Sequence, residues 1–132
     1  MNIRFFLVAG AVGAVAMWAF AGIWHKVILK AFYEAATEAT HEGTGIIFIA
    51  YLVLGGLMAY LFPLGYKGGR PLWEGLRFGM LIGVLWVFPH QLAMAGAHGE
   101  SLLYPFQNAA VHMAEQGLGG VVIGLIYGRM QA

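Results

Sequence analysis

Four apolar stretches, each long enough to cross a bilayer, dominate this chain and leave it few folds. A spanning helix needs about 20 mostly apolar residues, because a bilayer offers no water to pair an exposed backbone group. The first stretch runs from about Ile3 to Leu29 and the second from Thr44 to Leu64. The third runs from Leu72, just after Pro71, to Ala97, and the fourth from Pro105 to Gly128. Proline is favoured in the first turn of a helix, so Pro71 marks a helix start. The intervening linkers (34–43, 65–70 and 99–104) are short, which makes consecutive helices antiparallel neighbours. The expected fold is therefore an all-α membrane protein: one integral domain, a four-helix bundle made of two helical hairpins.

Composition excludes the alternatives. Only 10% of the 132 residues are charged and 61% are hydrophobic, whereas a soluble domain carries about 25% charged residues. A net charge of +1 without a basic run gives nucleic acid nothing to bind. The chain has no cysteine and no aspartate, which removes disulfides, thiolate metal sites, thiol catalysis and any Ser–His–Asp triad. No phosphate-binding glycine loop is present; the glycine-rich 65–70 segment is a basic turn between spans. Enzymatic chemistry is not the expectation. The start, Met1-Asn2-Ile3-Arg4 and an apolar run to Ala19-Phe20-Ala21-Gly22, has the form of a secretory signal, but it reads here as the first transmembrane helix.

Charge is distributed by side. Arg4, Lys67, Arg70, Arg77 and Arg129 flank one set of span ends, and only Lys26 and Lys30 flank the other. By the positive-inside rule both termini are cytoplasmic. Trp24 and Tyr33 at one interface, and Tyr66, Trp73 and Tyr127 at the other, form aromatic belts. A compact bundle with Trp24-His25 near the end of its first span resembles small bacterial inner-membrane proteins, which implies a multi-pass protein of that membrane.

All five histidines, and five of the six acids, then lie toward the outer face. Ionisable groups within a span are costly and mark functional sites. Glu115 stands 14 residues before Arg129, about 21 Å along a helix. His112 lies one turn further out on the same face. His25 and His90 fall at a comparable depth, and Pro89 bends the third helix just before His90. The expected layer is His25, His90, His112 and Glu115. Imidazole with carboxylate is a ligand set for zinc, iron or copper. His112-x2-Glu115 and Glu38-x2-His41 each put two ligands on one helical face. In part this resembles the Glu-x-x-His pairs of carboxylate-bridged di-iron bundles, with the order reversed in the fourth helix. Three other readings stand beside the metal site: haem b held between His25 and His90, a proton or ion relay, and a structural polar network joining the helices.

Lys26, Lys30, Glu34, Glu38 and Glu42 recur every four residues, a charged stripe on a helix. It reads as a solvated face, or as a cation-attracting mouth in which Glu34, Glu38, His41 and Glu42 feed the deeper layer. The chain also carries signs of an internal duplication. Ile23–Val27 matches Phe88–Leu92 at an offset of 65 residues, and Leu54–Met58 matches Leu118–Val122 at 64. An even number of spans per half makes this a parallel repeat, with His25 and His90 as partners. Glycines spaced by four (Gly75, Gly79, Gly83; Gly120, Gly124, Gly128) provide tight packing faces. These faces serve contacts within the chain or a homo-oligomeric seam. The functional alternative is an accessory subunit of a larger membrane complex, with the polar layer purely structural.

Overall fold

The computed structural model describes residues 2–28, 30–31 and 43–131. Glu34, Glu38, His41 and Glu42, the proposed mouth, lie outside the described residues. Four long helices make up the fold: α1 (Ile3–Ile23), α2 (Thr44–Gly65), α3 (Pro71–His98) and α4 (Leu103–Gln131). All four are long and apolar enough to cross a membrane. The helix limits lie within one residue of the sequence reading except at three ends. The first does not continue as one α-helix to Leu29; it passes at Trp24 into a π-helical turn, Trp24–Ile28. The fourth begins at Leu103 and runs through Gln131, longer than expected at both ends.

Local chemistry sets the helix ends. The Asn2 side chain accepts from the backbone N–H of Arg4 and Phe5, capping α1. Pro71 occupies the first turn of α3, and Gly99, at φ 66°, closes it in the left-handed conformation that glycine adopts without strain. The Ser101 hydroxyl accepts from the Leu103 N–H at the start of α4. Four antiparallel helices put both termini at one end of the bundle, called here the terminal end. The α3–α4 linker lies at the other, the distal end.

The glycine faces are used inside the chain. A Cβ at Gly75 would strike the carbonyl oxygen of Gly120; one at Gly79, that of Gln116; one at Gly83, that of His112. Gly124 and Gly128 press against Pro71. The α3–α4 hairpin is thus closed by backbone-to-backbone contact, the way helices associate where burial from water offers no drive. In the first hairpin Gly10 lies against Gly55 and Gly56, and Gly55 against Ala14. The hairpins then join unevenly: α1 packs along α4, α2 reaches α4, and α2 and α3 touch only sparingly. Helix α4 is therefore central, with the largest buried share of the four.

Toward the terminal end the core is apolar: Phe5, Ala9, Met17, Leu54, Met58, Ala59, Phe62 and Ile123. Phe62 makes edge-on contacts with Phe78 and Tyr127, and Phe5 and Tyr66 with Tyr127, the preferred arrangement of ring quadrupoles. Met17 and Met58 are fully buried, as filler methionines would be.

Gly79→Ala forces a methyl group into the Gln116 carbonyl and should destabilise the bundle by about 1–3 kcal/mol, the usual cost of overpacking. Gly96→Ala, where nothing lies within 4 Å, should leave stability unchanged or slightly raised. Thermal unfolding of the two variants in detergent compares them directly.

Candidate metal centre

Glu115 is the centre of the polar layer, and it is 0% exposed. Twelve residues separate it from Leu103 at the distal start of α4, about 18 Å along the helix. Three helices supply its neighbours. From α1, His25 Nε2 lies 3.0 Å from Glu115 Oε2. A carboxylate only accepts, so the imidazole donates in this bond. From α2, the Tyr51 hydroxyl donates to Glu115 Oε1 at 2.6 Å. From α4 itself, His112 Nδ1 lies 3.5 Å from Oε1, one turn before the carboxylate. The His25 and His112 rings stand 6.1 Å apart between centroids. One donor atom from each of His25, His112 and Glu115 falls within 4.8 Å of the others, a group that could hold a metal ion.

The backbone explains this convergence. Along α1 the buried positions Ala9, Gly13, Met17 and Ala21 recur every four residues, and His25 is the next in that series. Its own turn is π-helical, a distortion often found at functional sites. Close approach of α1 to α4 is set about one and two turns below the site. There the Met17 side chain lies in the space left by the missing Cβ of Gly119, and Ile123 lies in that left by Gly13. On α2, Tyr51 shares the core face with Leu54, Met58 and Phe62. On α4, the three- and four-residue spacings put Glu115 and Gln116 on the His112 side of the helix.

The network is not complete in itself. His112 Nδ1 is buried and makes no hydrogen bond. Both polar atoms of Gln116, itself 0% exposed, also lack a partner. So does Trp24 Nε1, although its ring stacks on Phe20. Buried polar atoms are nearly always paired, so this concentration of unpaired ones beside a buried carboxylate is unusual.

Three of the four expected ligands are brought together; His90 is not. It is exposed on α3 and outside the group. The expected convergence of His25 with His90 required α1 and α3 to face each other. They do not pack together, because α2 meets α4 between them. The pair that was to hold haem b is therefore not assembled, and His25 meets His112 instead. Around His90 the layer continues differently: Asn108 Nδ2 donates to Gln91 Oε1 at 3.1 Å, and His98 Nδ1 lies 2.9 Å from the Met94 carbonyl.

Tyr51 was missed by sequence reasoning. Tyrosine in an apolar span reads as bulk, and nothing nearby in the chain is charged.

Comparison with protein families, with curated proteins and with solved structures finds no match for this chain.

Tyr51→Phe removes a hydrogen bond to a buried carboxylate and should cost on the order of 1 kcal/mol, as interhelical hydrogen bonds do in membranes. Tyr60→Phe, at an exposed position on the same helix, should cost nothing measurable. Unfolding of both variants in detergent checks the pair.

Proposed function

We propose that this protein binds a divalent transition metal within the membrane through His25, His112 and Glu115. The observation that carries the reading is the buried group itself: ligand atoms of His25, His112 and Glu115 lie within 4.8 Å of one another, and His112 Nδ1 makes no hydrogen bond 3.5 Å from a carboxylate oxygen that accepts from Tyr51. A structural network gains by using up such atoms, since a half-satisfied polar cluster is worse than an apolar one. A cation would be approached by both imidazoles and one carboxylate oxygen, and would neutralise a charge that is otherwise costly in lipid. Two nitrogens and one oxygen suit zinc, iron(II) and copper(II). Tyr51 would then orient the carboxylate from behind, the role that partners of metal ligands usually play.

In this reading the chain is a small inner-membrane protein with cytoplasmic termini. It works in metal handling or redox chemistry beside other membrane subunits or further copies of itself. Proton relay is the second reading, favoured by the direct bond from partly exposed His25 to buried Glu115.

Metal content separates the possibilities. Purified wild type, loaded with zinc or cobalt and freed of excess, should retain about one ion per chain. His112→Ala and Glu115→Ala should retain none, and His90→Ala should bind like wild type. Elemental analysis with the visible spectrum of the cobalt form measures this. Background metal in the wild type overturns the proposal; equal loss in His90→Ala would show that the ligand set is different.

A further inference from the structure

Resting on that reading, we propose that the His25–His112–Glu115 site is loaded and emptied only from the distal end of the bundle. The protein then captures an ion at that face, or presents one there, and does not carry it across the membrane.

The first support is a change of character along one stripe of α4. Tyr104, Asn108, His112 and Gln116 recur every four residues from the distal end to the level of the site. The same stripe continues as Gly120, Gly124 and Gly128, all three packed on the chain's own α3. Polar groups that can replace a cation's hydration shell therefore reach the site from one side and stop there.

The second support is exposure. His25 is the most exposed of the ligands, with 29% of its side chain exposed against 11% for His112 and none for Glu115. Immediately toward the terminal end, Met17, Met58 and Ile123 are completely buried, and Phe62 nearly so. Met17 seals against Gly119, and Ile123 against Gly13. Across this layer an ion would meet only thioether, methyl and aromatic groups. Two clefts lie near this layer. One is at the terminal end among Asn2, Phe5, Tyr60, Pro63 and Tyr127. The other lies sideways between α2 and α3, against the outer side of the layer at Met58, with Leu57, Leu61, Leu85 and Trp86. Neither is lined by a residue of the site.

The test uses sided access to the full chain. The natural sequence has no cysteine, so Leu102→Cys, in the exposed α3–α4 linker, reports orientation through a membrane-impermeant maleimide. The variant is loaded with cobalt, reconstituted into phosphatidylcholine vesicles, and exposed to external EDTA. The fraction of cobalt stripped should equal the fraction of linker labelled from outside, with the remainder resistant until detergent is added. Stripping of every site regardless of orientation, or stripping that matches the unlabelled fraction, overturns the proposal. So does protein-dependent accumulation of zinc in the vesicle lumen. Protein that binds no cobalt before reconstitution fails the metal reading itself, a result distinct from two-sided access.

Discussion

Apolar side chains gain little by leaving lipid for another helix, so helices in a bilayer adhere where their backbones can meet. Here that contact is made by glycine. Gly75, Gly79 and Gly83 lie against the backbone of Gly120, Gln116 and His112, and Gly10 lies against Gly55 and Gly56. Two tight hairpins result. Their union along α1 and α4 puts α4 at the middle of the molecule. The position of the carboxylate follows from this. Glu115 is buried because the helix carrying it is enclosed by the other three.

Burial makes Glu115 demanding. An ionised carboxylate in a low-dielectric interior must be paired, neutralised or bound to a cation. His25 and Tyr51 answer part of that demand from two separate helices. The rest of the layer is less fully bonded: His112 Nδ1 faces Glu115 at 3.5 Å without a hydrogen bond, and the Gln116 amide makes none. Structural glue and a binding site differ at this point. Glue uses up its hydrogen-bonding capacity, whereas a site keeps some directed inward. The aromatic and thioether layer below it keeps the carboxylate dry on one side, which strengthens any interaction with a cation.

The hairpins share a construction but not a setting. Each hairpin closes on glycine, Gly10 on Gly56 and Gly75 on Gly120. Between hairpins the contact is uneven: α1 lies along α4, while α2 and α3 barely meet. The unequal polar sequence matches this unequal packing. His25 and Tyr51, both from the first hairpin, bond to the one carboxylate of Glu115. His90 is left on the exposed surface of α3.

Span number, approximate span limits and the glycine faces were legible in the chain itself, because hydropathy and four-residue spacing act locally. So was the pairing of His112 with Glu115, three residues apart on one helix. Which distant groups join them was a matter of tertiary structure. Selecting His25 over His90 depends on α2 meeting α4 and holding α1 and α3 apart, a contact between elements far apart in sequence. Tyr51 entered for the same reason: its hydroxyl matters only because α2 is packed where Glu115 can accept from it. Local pattern determines which faces are apolar, small or charged; only the packing of whole helices decides which of those faces meet.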